Sequence, residues 1–520
     1  MAINRATRKV VVVGGGTAGW ITANVVANEC RSCDVVVVES PDIPTIGVGE
    51  GTWPSMRTTL RRIGLPEDDF IHDTGASFKQ GTRFFGWSGR PGRDEYCHPF
   101  SLPVEYASLN PARYWLAERS KTPFAEFVTP QAAVIERGLA PKQTTTPPYA
   151  FAFNYAYHLD AARFAALLQG KAVGAGVSHR VGNVAQVEAR ADGDIAAVVL
   201  DTGERVGGDL FIDCTGQRAL LLGGHLGVGW ASVREYLFND AAIAVQVPYP
   251  CTDAPIASAT HATAQPAGWI WDIGLQSRRG VGYVHSSAHA DGSTAMATLE
   301  RYVASTSPGI DMAALEFRTI PFDPGYRTAF WLKNCVAVGL SAGFVEPLEA
   351  SALALIEQSA AMIAEQMPRD RRIMEVTARR FNSKMHYHWE RIVEFLKLHY
   401  VTSVRDDDYW RDNRAPGSCP EGLGDKLSVW DQQPPWHDDA PRLDELFPSA
   451  SYQYVLYGMG FRPKFEVERA PSGEDPVRER ADRVFHETRA KSAQALRLLP
   501  DNRTLLGSIA QREQRSEAHA

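Results

Sequence analysis

The sequence predicts an α/β fold organised on a strand–helix–strand nucleotide unit near its start. Three observations carry this. Residues 10–20, VVVVGGGTAGW, run from four valines through a glycine cluster into a plausible helix. The glycines at 14, 16 and 19 have the G-x-G-x-x-G spacing of a dinucleotide loop. A second β-branched run, 34–38, ends at Glu39, twenty residues after Gly19, where an acid meets a ribose hydroxyl. In this unit Gly14 permits the turn, Gly16 lets backbone approach a pyrophosphate, and Gly19 lets the helix lie close to the strand. Thr17 and Ala18 open a helix whose N-terminus attracts phosphate charge.

Bulk composition removes several classes. The chain has 520 residues, 44% hydrophobic and 22% charged, with a net charge of −7 from 54 basic and 61 acidic residues. No long basic run suggests a nucleic-acid surface, and no metal site is expected. No apolar run reaches the roughly eighteen residues of a membrane span. The apolar N-terminal segment is too short for a signal peptide and belongs to the first strand, so a cytoplasmic protein is expected. Seven cysteines, an odd number, make no disulfide framework. Cys30 and Cys33 form a C-x-x-C between helix and second strand and read as two ordinary thiols.

The remaining elements follow in order. Residues 41–55, with Gly47, Val48, Gly49, Glu50 and Gly51, form a bent loop suited to close backbone approach. A short helix is expected at 58–63. Lys79 lies in ASFKQGTRFFGW among small and aromatic residues, either snorkelling to the surface or buried as a nucleophile or donor. His98 and Phe100 form a polar–aromatic pair. Helical periodicity covers 157–170, with Asp160 as N-cap. Short strands and turns fill 176–216 and end in LFIDCTGQR. In AGWIWDIGL, Trp269 and Trp271 face one side of a strand. A strand over 278–287 follows. CVAVGL, at 335–340, is a buried strand leading to Gly339 and Gly343. Pro347 suits a first helical turn, placing Glu346 and Glu349 on one helical face, with a helix over 351–367. A long helix spans 372–400 and connections fill 416–441. The aromatic segment 449–461 is suited to close over a site. A charged terminal helix follows residue 470. Two parts are expected: a core over 1–370 with an interleaved substrate-facing sheet, and a mainly helical substrate or lid module over 371–520.

With these residues in hand, the chain resembles the flavin-dependent halogenases of the tryptophan halogenase type over about 10–410. VVVVGGGTAGW is similar to the family's FAD fingerprint, TIGVGEGTWPS to its flavin strap, and SFKQGT to the segment with its lysine. GWIWDIG resembles the signature GWxWxIP, with Gly274 in place of proline. FVEPLEASA resembles the EPLEST segment, which carries a catalytic glutamate beside the halide site. The resemblance implies a FAD-binding Rossmann-like domain of flavoprotein-monooxygenase type with an added, largely helical substrate module. It implies FAD, used as FADH2, with O2 and a halide ion, bromide or chloride. Residues at the cofactor would be Gly14, Gly16, Thr17, Ala18, Gly19, Glu39, Gly47, Val48, Gly49, Glu50, Gly339 and Leu348. Lys79 and Glu349 would be the catalytic pair, with Glu346 the rival acid. Ser351 and Ala352 would lie at the halide, where the family typically has Thr and Gly. Trp269 and Trp271 would stand between flavin and substrate, with His98, Phe100, Tyr452 and Tyr454 on the substrate side.

The implied reaction uses FADH2, O2 and halide to make hypohalous acid, which passes to Lys79 for electrophilic bromination or chlorination of an aromatic ring. Members acting on free tryptophan carry a Tyr-Tyr and a Glu near the C-terminal lid. The corresponding SASYQYVLYGMGF has neither that pattern nor a carboxylate, which points to indole or another electron-rich aromatic. No second nucleotide fingerprint is visible, so a separate NAD(P)H flavin reductase is the implied partner; a homodimer is allowed. The alternatives are a flavin-dependent aromatic monooxygenase (hydroxylase) and a non-enzymatic FAD-binding protein.

Overall fold

A computed structural model describes residues 7–43, 49–92, 94–117, 122–464 and 476–517. The chain forms two compact units, each assembled from three stretches. The first comprises Met1–Ala76, Leu159–Val233 and Asp323–Trp389; the second comprises Ser77–His158, Arg234–Phe322 and Glu390–Ala520. This interleaving differs from the expected single cut at 370, because strands of each unit's sheet are supplied by alternating stretches of chain.

The first unit is built on a six-stranded sheet. Its order is Trp331–Leu332, Cys335–Ala337, Leu210–Asp213, Lys9–Val13, Asp34–Glu39 and Ser178–Val181. All pairings are parallel except that of the edge strand Trp331–Leu332. Val10 to Val13 are at most 2% exposed, as a central parallel strand covered on both faces requires. The helix Thr17–Glu29 follows this strand and packs on the helices Ala161–Gly174 and Ser351–Glu365.

The helix expected from Tyr157 begins later. Ala156–Leu159 is a strand, and the Asp160 side chain accepts hydrogen bonds from the amides of Ala162 (3.0 Å) and Arg163 (3.1 Å). Capping there fixes the start and leaves Tyr157 to Leu159 extended.

The second unit holds a seven-stranded sheet. Its order is Phe317–Pro321, Ala241–Pro248, Arg278–His285, Gly268–Gly274, Thr260–Gln265, Gly81–Phe85 and Glu95–Pro99. Helix Gly292–Thr306 covers one face through Ala295, Leu299 and Val303, packed with Ile243, Val245, Ile270, Val281 and Tyr283. Strand alternation puts Trp269 and Trp271 on the other face from Ile270. Every regular element described after residue 370 is helical. The expected connection 416–441 contains the helix Glu421–Trp430, which buries Leu423 and Trp430. The expected single terminal helix is two, Pro476–Leu498 and Asn502–Glu517. Pro500 interrupts the run, and Asp501 accepts from the Thr504 amide at 2.8 Å to start the second. Among the described residues, no helix is long and apolar enough to cross a membrane.

Candidate active site

The glycine loop fits a dinucleotide in three distinct ways. Gly14 has φ 118°, and a β-carbon there would lie 2.1 Å from the Cys214 carbonyl oxygen. A β-carbon on Gly19 would lie 1.9 Å from the Gly14 carbonyl oxygen, so helix and loop touch backbone to backbone. A β-carbon on Gly16 would meet nothing within 4 Å, which leaves open space beside the loop. The helix that starts at Thr17, with Ala18 in its first turn, has no side-chain cap and no acidic residue in that turn, so its N-terminal amides suit a pyrophosphate. Gly15, the variable position of the motif, is glycine for a separate reason: a β-carbon would strike the Glu39 carboxyl carbon at 2.1 Å. Glu39 ends its strand as expected, with its carboxylate over the loop.

Asp213 organises the far side of this cradle. Its buried carboxylate accepts from the Thr215 hydroxyl (2.7 Å), the amides of Leu221 (2.9 Å) and Leu222 (2.8 Å), and the Ser341 hydroxyl (3.1 Å). Ser341 ties DCTG to the second glycine turn, where Gly339 (φ 71°) lies against Ala18; a β-carbon on Gly339 would approach the Ala18 β-carbon to 2.8 Å. Sequence spacing could not reveal this hub, because its members are brought together by the parallel pairing of Lys9–Val13, Leu210–Asp213 and Cys335–Ala337.

The strap is partly described. Gly47 and Val48 lie outside the described residues. Glu50–Gly51 is a short strand within the expected irregular loop. Burial pushes the Glu50 carboxyl up to about 7. The strap is anchored to the EPLEAS segment. The Trp53 indole donates to the Glu349 carbonyl at 2.6 Å, and the hydroxyls of Ser55 (3.1 Å) and Thr59 donate to the buried Glu357 carboxyl. Burial raises that carboxyl to about 7, partly opposed by the two hydroxyls.

Glu357 yields a pH prediction. A raised carboxyl keeps its proton in the folded protein while the unfolded chain releases it above about 4.5. Stability fully present below that value is therefore lost as pH climbs towards 7. Glu357→Gln is expected to melt with the parent at pH 4.5 and a few degrees above it at pH 8. Thermal melts across this range check the divergence, and parallel curves would show that Glu357 does not titrate there.

The structure corrects the expected helical placement of the two acids. Residues 345–350 form a non-helical turn. The Ala350 amide donates to the Pro347 carbonyl (3.0 Å), and Ala350 has φ 53°. Proline and left-handed backbone stop the helix from reaching back beyond Ser351, so Glu346 and Glu349 share no helical face. Both acids and Leu348 are buried. Ser351 is buried and Ala352 exposed in the first turn of Ser351–Glu365, which has no side-chain cap and no acidic residue there. Such a helix start suits a halide anion.

In the second unit, Lys79 ends the strand Ser77–Lys79 and is 1% exposed. It is therefore a buried lysine, not a snorkelling one. Its Nζ lies 5.4 Å from the centre of the Phe100 ring. The site is pinned on several sides. The Phe100 amide donates to the Gln80 carbonyl (2.9 Å), and the Ser77 hydroxyl to the Gly274 carbonyl (2.5 Å). Gly274, at the position where the resembling signature has proline, is closely packed: a β-carbon would sit 2.9 Å from the Tyr249 hydroxyl, which would have to shift. Buried His158 holds the Thr260 hydroxyl at 2.9 Å, and its pKa falls well below the usual value through burial and the Lys79 charge.

Trp269 and Trp271 do share a face, with ring centres 6.4 Å apart. Neighbouring strands make room with small residues: Ala264 opposite Trp269, and Ala262 and Gly282 opposite Trp271. A β-carbon on Gly282 would lie 2.1 Å from the Trp271 ring. His98 pairs with the Ser451 hydroxyl (2.9 Å) and lies 5.9 Å from the Tyr454 ring. The segment expected to close over a site is the buried helix Ser449–Gly458. Within it Tyr454 donates to the Ser101 carbonyl (2.9 Å), while Tyr452 packs on Phe395 and Trp430.

The chain as a whole is similar to known proteins. The tryptophan halogenase family model matches residues 9–471. The chain is 32% identical over 530 residues to the tryptophan 6-halogenase SttH of Streptomyces toxytricini, covering 97% of this chain and 98% of the relative. A crystal structure of tryptophan halogenase from Shewanella frigidimarina is similar over 98% of both chains, with TM-score 0.92 and 45% identity. BrvH, a flavin-dependent halogenase from Brevundimonas sp. BAL3, is similar over 97% of this chain and 99% of its own, with TM-score 0.84 and 36% identity.

Proposed function

The chain belongs to the tryptophan halogenase family, and from this premise we propose that it halogenates indole or a related electron-rich ring through Lys79 and Glu349. It is a flavin-dependent halogenase using FADH2, O2 and a halide. The hydroxylase alternative is set aside, since the relatives are halogenases. Bound FADH2 with O2 supplies the oxidising equivalent that converts halide to hypohalous acid. The observation that most supports the Lys79 role is its burial beside Phe100 on a strand pinned by backbone hydrogen bonds.

In this reading, the Lys79 amine holds hypohalous acid by hydrogen bond or carries the halogen as a haloamine. Glu349 orients the electrophile and takes the ring proton as aromaticity returns. The Ser351 and Ala352 amides hold the halide, and the Trp269–Trp271 pair walls the substrate side. The second unit acts as the substrate module. Flavin-dependent halogenases generally draw on a separate flavin reductase. We place this one in the cytoplasm, in keeping with seven free thiols.

Indole is favoured over free L-tryptophan because the helix Ser449–Gly458 offers no carboxylate for an ammonium group. Protein, FAD, a flavin reductase, NADH, oxygen and bromide are incubated with indole or L-tryptophan, and products are read by mass spectrometry. Bromoindole is expected, with kcat/KM at least about tenfold above that for L-tryptophan. A preference for L-tryptophan overturns the substrate; addition of oxygen without bromine overturns the halogenation.

A further inference from the structure

We infer that His179 is a positioning residue for the cofactor, acting through Glu39 to fix the carboxylate that receives the adenosine ribose. This rests on the FAD reading above. The edge strand Ser178–Val181 pairs in parallel with Asp34–Glu39, and it carries His179 beside the acid. His179 Nε2 lies 2.8 Å from Glu39 Oε2. The other ring nitrogen, Nδ1, faces the Gln169 side-chain amide nitrogen at 3.2 Å. That amide nitrogen only donates, so Nδ1 accepts and the ring proton sits on Nε2, a buried donor close against Glu39 but not aligned with it as a hydrogen bond in this structure. Trp20, on the nucleotide helix, meets the imidazole edge-on at 5.2 Å and fixes its plane.

Glu39 is thereby confined on two sides. Gly15 leaves it the space of a β-carbon below, and the His179 ring lies against one oxygen from the side. The second oxygen keeps its lone pairs for the ribose diol. A lone carboxylate at a strand end would sample several rotamers and lose affinity in being ordered by ligand. The motif predicts the acid but not this support, because His179 lies 140 residues further along the chain.

The test measures FAD dissociation constants by quenching of flavin fluorescence, without turnover. His179→Leu keeps an apolar contact for Trp20 and removes the donor; His179→Gln retains one. His179→Leu is expected to bind FAD about tenfold more weakly, and His179→Gln within about twofold of the parent. In a Glu39→Ala background, His179→Leu is expected to cost nothing further, the mark of action through Glu39. Unchanged affinity in His179→Leu, additive losses in the double variant, or no rescue by glutamine would overturn the inference. A parent protein that binds no FAD would instead overturn the cofactor reading on which it rests.

Discussion

Lys79→Met is expected to lose halogenation by at least about a hundredfold while FAD affinity stays within twofold. Methionine fills much of the lysine volume, so the buried strand Ser77–Lys79 keeps its pairing with Ala156–Leu159. The nitrogen is what disappears. Lys79 is buried with its Nζ beside the Phe100 ring, and neighbouring His158 is held neutral by burial and by the lysine itself. A neutral histidine cannot take over a cationic donor's task, and its placement opposite Ser77 rather than Lys79 denies it the same position. The FAD cradle is formed by residues of the first unit, so cofactor affinity is the control. Brominated product is measured by mass spectrometry alongside oxidation of reduced flavin. Flavin oxidation should continue while bromination of indole collapses. Lys79→Met retaining more than a tenth of parental bromination would remove Lys79 from the chemistry.

The parts legible in the sequence were those fixed by local rules. Four valines, a glycine loop, a helix and an acid are read in chain order, and the turn expected at Gly14 and the close helix packing expected at Gly19 are present in their geometry. Strand alternation likewise put Trp269 and Trp271 on one face. The glycine at 282 that accommodates Trp271 sits on another strand, where sequence gives no register. Long-range partners were illegible for the same reason. Asp213 with Ser341, Glu357 with Thr59, and Glu39 with His179 are joined by tertiary packing across 128, 298 and 140 positions. The turn before Ser351 is not legible locally, because Pro347 fits a first helical turn whereas left-handed Ala350 breaks the backbone after it. Lys79 was ambiguous locally, since a lysine near aromatics is as compatible with a surface stem as with burial. Its burial depends on the strand pairing with 156–159.

Gly19→Ala and Gly16→Ala are expected to fail in different ways, and the difference separates fold from cofactor binding. At Gly19 the added carbon would lie 1.9 Å from the Gly14 carbonyl oxygen, which is backbone and cannot rotate aside. Gly14 is itself held, since its amide donates to the Val38 carbonyl at 2.8 Å and its φ of 118° suits glycine. Relief requires the helix Thr17–Glu29 to move off the sheet, against its packing on Ser351–Glu365 and Ala161–Gly174. Overpacking of this kind costs about 1–3 kcal/mol or more. A melting temperature several degrees below the parent, even without FAD, is expected, together with FAD affinity reduced at least about a hundredfold as the helix N-terminus shifts. Gly16 has φ −78° and ψ −176°, extended backbone that alanine adopts freely, and its β-carbon would enter open space. The apo protein should therefore melt with the parent. FAD affinity should still fall about tenfold or more, because that space is where pyrophosphate would lie against the backbone. Melting temperatures without ligand and FAD dissociation constants for both variants decide the case. Equal melting of Gly19→Ala and parent would show that the helix can yield. Undiminished FAD affinity in Gly16→Ala would show that the pyrophosphate does not approach the loop at this glycine.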